Sequence, residues 1–525
     1  MHGTVYLGGD IITMAEGPRP EALWVQDGLV RALGSREAVL AQAGPARRFD
    51  LGGGAVLPAF IDAHSHIVAY AQTMGLVSLA GASSFEEILQ RLQTFLRERR
   101  PEPGAWLVGF GYDHNFLAEG RHPDLALLDR AGEGHPVLLS HASGHMGVMN
   151  TVALRESGVA PDTPDPAGGR IGRDDAGGLT GYLEETAFTA LSAKVPPPTP
   201  EQLQAQMNLA QDAYLRRGIV TVQDGLTRPG DWALLRAMAE RGLLRTDVVA
   251  YPDLATCPNL LPENRAWLRY RDRLRLGGYK LILDGSPQGR TAWLTQPYLG
   301  GEAGYCGYPT HPDEAVNAFV ERAYREGRQI LVHCNGDAAA DQFIAACERA
   351  RSLGLECVRP VMIHAQLLRR DQLPRLAAAG IIASFFVAHT YFWGDIHVQN
   401  LGSRAEAISP VRSAIAAGVR YTFHQDTPVL EPDMLTTLWC AVNRLRRSGA
   451  PLGPGERITP AQALAGITCN AAYQYGEERH KGALREGMRG DLVVLDRSPL
   501  RVDPLALRDI RVLQTVRAGD VLFEA

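Results

Sequence analysis

Between residues 56 and 424, eight short apolar runs alternate with longer segments of helical periodicity, and this alternation restricts the fold more than any other feature. The runs are Val56 to Asp62, Ile219 to Gln223, Asp247 to Tyr251, Tyr279 to Leu283, Gln329 to His333, Pro360 to His364, Ile381 to Phe385 and Arg420 to His424. Helical patterns such as Pro312 to Arg325 and Ala338 to Arg351 lie between them. Crossovers of that length require consecutive strands to pair in parallel. Eight repeats fit an α/β chain folded as a (β/α)8 TIM-type barrel, whose chemistry sits where strands end and the following loops begin. A doubly wound open sheet is the alternative, but no Gly-rich phosphate fingerprint follows any of these strands.

Both ends of the chain read differently. Thr4 to Leu7, Ile11 to Met14, Ala22 to Gln26 and Leu29 to Leu33 are short alternating segments separated by glycines, as are Leu492 to Leu495, Val512 to Val516 and the terminal Val521-Leu-Phe. They predict one composite β-sandwich built from 1–55 and 475–525, beside a barrel of 56–69 and 206–474. Residues 70–205 exceed any crossover and predict an α/β insertion after the first barrel strand, capping the barrel mouth. The insertion contains a helix from Phe85 to Arg97 opened by the capping-box pair Ser84 and Glu87, strands Trp106 to Phe110 and Pro136 to Ser140, and a stiff Val195-Pro-Pro-Pro-Thr-Pro200 exit.

The first barrel run ends in His64-Ser-His66. Side chains alternate across a strand, so the two imidazoles face the same way. Neutral imidazole is the commonest protein ligand of zinc-like cations, which makes a divalent ion the candidate partner; core or surface histidines are the alternative. Lys280 lies within an apolar strand and shares a face with Ile282 and Asp284. Burial near cations favours its neutral amine, which can add carbon dioxide and bridge two metals as a carbamate. An ion pair with Asp284 is the plainer reading. His333 and His364 each close an apolar run. Thr422, His424 and Asp426 share a face, which puts Asp426 just past the last strand, either as a base or as the residue opening the turn before Pro428.

The run Pro58-Ala-Phe-Ile-Asp-Ala-His-Ser-His66, the strand lysine, the two strand-end histidines and the late aspartate resemble the amidohydrolase superfamily. Within it the chain is most similar to the YtcJ-like branch, which includes N-substituted formamide deformylases. The segments that carry the likeness are Gly181-Tyr-Leu-Glu-Glu-Thr-Ala187, Lys280-Leu-Ile-Leu-Asp-Gly-Ser286, His333-Cys-Asn-Gly-Asp-Ala338, Ile363-His-Ala-Gln366, Thr468-Cys-Asn-Ala-Ala472 and Gly490-Asp-Leu-Val-Val-Leu495. The resemblance spans nearly the whole chain. It implies one or two divalent ions, zinc first and manganese or iron as alternatives. His64 and His66 would hold one and His333 and His364 the other, with Asp426 completing the set and Lys280, N6-carboxylated, as the bridge. Glu185 is a rival bridge, since an acid in that segment recurs in the branch. A homodimer is the family-level expectation. The chain departs from the family at Ala59, where Gly is usual, and at His424-Gln-Asp426, where Gly-Ser-Asp is usual.

The activity this implies is hydrolysis of an amide, N-acyl or N-formyl C–N bond in a small molecule by a metal-bound hydroxide, with Asp426 shuttling the proton. Tyr112, Asp113, Asn115, His141 and His145 of the insertion are candidates for the pocket roof, with His145 placed against the substrate carbonyl. Asp113, Glu185, Arg290 and His389 are further substrate candidates, and Trp106, Phe110 and Phe116 are candidates for an apolar wall. Loop-backbone contacts are the alternative for each insertion residue. Ester or lactone hydrolysis, deamination, and a non-catalytic scaffold are the rival readings.

Composition narrows the partners. A net charge of −5 and a pI near 6.3 carry no nucleic-acid footprint. Seven scattered cysteines, with no C-x-x-C pair, point to a reducing compartment. No signal segment opens the chain and no apolar run is long enough for a bilayer, so a cytoplasmic protein without a membrane partner is expected.

Overall fold

The computed structural model describes residues 3–114, 116–141, 145–300, 302–356 and 358–525. Asn115, one of the roof candidates, and Cys357 lie outside the described residues. The chain divides into two compact units, Met1–Val68 with Ala210–Ala525, and Ala69–Leu209.

In the first unit the run expected as one strand from Val56 to Asp62 is two. Ala55–Pro58 pairs with Asp10–Ile11 and Leu492–Leu495, whereas Phe60–Ile61 pairs in parallel with Ile219–Thr227. Pro58 has no N–H to continue a ladder, and the Ala59 N–H donates to Asp491 O, so the chain changes sheets there. The segment expected from Ile11 to Met14 is likewise shorter, Asp10–Ile11, and Met14 has a left-handed φ of 51°.

The parallel strands form two sheets. One has the order Leu274–Leu276, Asp247–Pro252, Ile219–Thr227, Phe60–Ile61; the other runs Gly278–Ile282, Gln329–Cys334, Val361–His364, Ile382–Phe385, Tyr421–Phe423. Leu274–Leu276 has no counterpart among the runs read from the sequence, because three residues offer too little alternation to detect. Gly277 alone separates it from Gly278–Ile282. A Cβ at Gly277 would stand 2.3 Å from Tyr251 Cζ, so only glycine lets the strand pass that ring. Past the last strand, the Asp426 N–H donates to His64 O and the His66 N–H to Thr427 O, at 3.3 and 2.8 Å.

Helices complete the crossovers. Asp313–Arg325 buries Val316, Val320, Ala323 and Tyr324, a stripe at helical spacing that faces inward while its charges face water. Between the strands, Ile61, Val249, Leu331, Val361 and Ile363 pack in one cluster; each fully buried aliphatic side chain contributes about 1.5–3 kcal/mol. The two chain ends meet in a five-stranded sheet, and Tyr6, Leu23, Val25, Val56, Leu492, Val494 and Val516 form their shared core.

The second unit is a six-stranded mixed sheet. Leu76–Ser78, Leu107–Tyr112 and Val137–His141 run parallel, and Met146–Met149, Leu179–Glu185 and Gly169–Arg173 continue it antiparallel. Helix Phe85–Arg99 packs Ile88, Leu92 and Leu96 against it, with Ser84 Oγ accepting the Glu87 N–H. The Glu87 carboxylate reaches Ser83 N rather than Ser84 N, one residue before the expected capping-box partner. No helix among the described residues is long and apolar enough to cross a membrane.

Candidate metal centre

Strand ends carry the titratable side chains of the first unit to one place. Asp426 Oδ1 stands 3.4 Å from His64 Nε2 and 3.3 Å from His66 Nε2. Lys280 Nζ lies 3.0 Å from His64 Nε2. His364 Nε2 meets His333 Nδ1 at 3.0 Å and stands 4.0 Å from Asp426 Oδ2. All six ligand-type residues therefore gather at one rim, although the chain separates the first from the last by more than 350 residues. His364 and Asp426 hold left-handed φ values of 74° and 54°, a conformation that costs an L-residue about 1–2 kcal/mol. Such strain persists where the surroundings require one side-chain direction.

Neighbouring groups set the tautomers. Gln223 Nε2 donates to Ala63 O at 2.8 Å and to Tyr475 Oη at 3.0 Å, which turns its Oε1 towards His64 Nδ1, 2.7 Å away. His64 Nδ1 is then the donor, and Nε2 keeps its lone pair facing Asp426 and Lys280. His333 Nε2 lies 3.1 Å from both Gly285 O and Asn335 Nδ2, and its Nδ1 faces His364. His424 Nε2 stands 3.2 Å from His364 Nδ1, and Ser384 Oγ lies 2.9 Å from His424 Nδ1.

The plainer reading of Lys280, an ion pair with Asp284, is not what the structure shows. Both Asp284 oxygens accept backbone N–H groups, from Trp293, Asn335 and Gly336 at 3.0, 2.9 and 2.7 Å. Burial drives the Lys280 amine down to about 8. It also raises the Asp284 carboxyl to about 7 despite those three donors.

Burial holds the His64 and His364 imidazoles well below their usual range and lowers His333 to about 4 and His424 to about 3. Burial alone would raise Asp426. The His66 contact and the cationic groups around it outweigh that effect and keep the carboxylate below its ordinary value. The result is a carboxylate set among imidazoles, with a buried Oδ1 that accepts no well-aligned hydrogen bond. A buried anion in that state is stabilised by a cation, so this donor set of nitrogen, carboxylate oxygen and lysine fits a divalent ion.

The other sequence candidates are placed elsewhere. His145 Nδ1 lies 3.1 Å from Glu185 Oε2, and both are exposed in the second unit. Asp113 Oδ1 stands 3.3 Å from His141 Nε2. Arg290 donates Nε to Asn400 Oδ1 at 2.8 Å and Nη1 to Gly300 O. His389 is buried against Phe386 and Trp393, with Nδ1 3.1 Å from His397 Nε2. Phe386 also lies 5.2 Å from His424, so it links His389 to the rim. Trp106 packs on the Leu138 and Phe188 core, and Phe110 and Phe116 are exposed, which does not make them one wall. Tyr112 is buried with its Oη 3.0 Å from His122 Nδ1.

Sequence reasoning missed Gln223 and Ser384. Their signal was present: each is a polar residue inside a fully buried strand, where an amide or hydroxyl needs a specific partner.

Comparison with known proteins agrees with this geometry. The amidohydrolase family model matches residues 47–523. The chain is 28% identical to the putative amidohydrolase YtcJ of Bacillus subtilis, over 99% of each sequence. It is also 28% identical to the N-substituted formamide deformylase of Arthrobacter pascens, over 96% of this chain and 95% of that one. An uncharacterized metal-dependent hydrolase of Pyrococcus furiosus superposes with a TM-score of 0.75 at 26% identity, covering 95% of this chain and all of the other. With a match that begins before His64 and ends after Asp426, and so includes every residue of the rim, the chain belongs to the amidohydrolase family.

Proposed function

We propose that this protein is a divalent-metal-dependent hydrolase that cleaves the C–N bond of a small amide, N-acyl or N-formyl compound. The observation that carries the proposal is the Asp426 carboxylate, its pKa held below the ordinary value and its buried Oδ1 facing His64 Nε2 and His66 Nε2 at 3.4 and 3.3 Å. The formamide deformylase and metal-dependent hydrolase relatives support the reaction class. We read the parallel strands as a (β/α)8 barrel, with the sheets of the two chain ends as a composite sandwich and Ala69–Leu209 as an inserted unit.

In this reading His64, His66, His333, His364 and Asp426 hold the metal, zinc foremost. Lys280, as its carbamate, would add an anionic ligand to this set; its position 3.0 Å from His64 Nε2 favours it over Glu185, which is paired with His145. A bound divalent ion supplies Lewis acidity for the carbonyl and for water. Asp426 accepts the proton of the attacking water and returns it to the nitrogen. The C–N bond then breaks to release an amine and a carboxylic acid. General base and acid assistance of this kind is worth about 10²–10⁴-fold. Gln223 fixes the His64 tautomer, and the Phe386, His389 and Trp393 rings pack together beside His424.

The test is a screen of N-formyl, N-acyl, ester and lactone substrates with zinc or manganese and bicarbonate, run in parallel on the Asp426→Asn protein. Amide turnover that is lost in Asp426→Asn while bound metal is retained supports the reading. Turnover confined to esters, or near-normal rates in Asp426→Asn, excludes it.

A further inference from the structure

The inserted unit contains a second group of ligand-type side chains, which the barrel chemistry does not use. Leu107–Tyr112 and Val137–His141 are adjacent parallel strands, with Tyr112 opposite His141. Asp113 and His114 follow the first strand, and His141 ends the second. His114 Nδ1 lies 3.3 Å from His141 Nε2, and His141 Nε2 lies 3.3 Å from Asp113 Oδ1. The third side of the triangle, His114 Nδ1 to Asp113 Oδ1, is 3.9 Å. A tetrahedral zinc ion bonded at about 2.0–2.1 Å holds its ligand atoms about 3.3–3.4 Å apart. Two sides match that spacing and the third is half an ångström longer, within the reach of one side-chain adjustment.

His141 Nε2 faces both a carboxylate oxygen and another ring nitrogen at the same distance, and one proton cannot lie on both lines. A cation at the centre satisfies all three atoms at once. Its surroundings also orient the rings. His122 stacks on His114 with centroids 4.1 Å apart and 29° between planes, and Tyr112 Oη lies 3.0 Å from His122 Nδ1. The Asp113 and His114 side chains are each about one-quarter exposed, which leaves an entry path and an open coordination position.

We propose that Asp113, His114 and His141 bind one divalent ion of the zinc class in the inserted unit, joining two strand ends. The proposal is independent of the C–N hydrolysis reading. It replaces the assignment of Asp113 as a substrate contact.

The experiment is elemental analysis of full-length protein dialysed against zinc. Asp113→Asn, His114→Ala and His141→Ala are each compared with the unaltered chain, and again in a His64→Ala/His66→Ala background. The expected result is loss of one equivalent of zinc with each cluster substitution in both backgrounds. In cobalt-loaded His64→Ala/His66→Ala protein, visible d–d bands of a low-coordinate ion should disappear on His114→Ala. Equal metal content with and without His114→Ala and His141→Ala overturns the proposal, whatever happens at the barrel. His114 is the more exposed of the two histidines, so its replacement gives a reading even where His141→Ala fails to fold.

Discussion

Gln223 and His64 face each other across 2.7 Å, and Gln223 is held from behind by Ala63 O and the Tyr475 hydroxyl. The amide therefore determines which nitrogen of His64 carries hydrogen before any metal arrives. Replacing Gln223 with Leu keeps the bulk and removes the acceptor. Metal affinity should fall about 10–100-fold, the usual cost of losing a partner that orients a ligand. Competition with a chromophoric chelator measures it, with circular dichroism as the check on folding. Unchanged affinity would show that packing alone orients the ring.

Lys280 reacts with carbon dioxide only as the free amine, and its pKa of about 8 sets the pH at which that form appears. Half of the amine is neutral at pH 8, against about 3% at pH 6.5. Metal-stripped protein reloaded with zinc should regain activity faster at pH 8 than at pH 6.5. Added bicarbonate should speed recovery further. Lys280→Ala should show no response to bicarbonate. Equal recovery in carbon-dioxide-free buffer would remove the carbamate from the mechanism.

Asp247 ties the end of the chain to the parallel strands. Its Oδ2 accepts Lys481 Nζ at 3.1 Å and Arg489 Nη2 at 2.6 Å, and its Oδ1 accepts Arg517 Nη2. Burial opposes ionisation here, but the three cations outweigh it and hold the carboxyl far below the usual range. The unfolded chain thus binds the proton more readily than the folded one between the two pKa values. Stability from this group is present above about pH 4 and is lost as pH falls. Asp247→Asn removes the carboxylate that Arg517 faces, while Lys481 keeps Glu477 and Arg489 keeps Asp491, and should cost about 1–3 kcal/mol at pH 7. That deficit should shrink below pH 4 in urea melts; a deficit independent of pH would contradict the assignment.

Gly277 and Gly230 make a paired test of space. Alanine at 277 would drive its Cβ into the Tyr251 ring, and should destabilise by about 1–3 kcal/mol. Alanine at 230 meets nothing within 4 Å, in helix Pro229–Glu240, and should leave stability unchanged or raise it. Equal urea midpoints for the two variants would mean that the strand at 277 shifts away from Tyr251.

Period and composition made the strand–helix alternation legible, because each buried strand is a continuous apolar run that its own residues reveal. The same local rule puts His333 and His364 at strand ends and Asp426 just past one, whereas His64 and His66 lie beyond the short strand Phe60–Ile61 and meet Asp426 through the fold. Local rules say which way a side chain points but not what it meets. Only the folded chain showed that Lys280 faces His64 rather than Asp284, since the Asp284 oxygens are taken by amides of a later loop. Only the fold split Val56 to Asp62 between two sheets, because the partners that compete for it lie about 160 and 430 residues away. The partners of Gln223 and Ser384, and the Asp113, His114 and His141 triangle, were beyond local rules for the same reason. A hydrogen bond or a metal site is a distance between atoms of different strands, and strand neighbours are assigned by long-range packing that no short window of sequence contains.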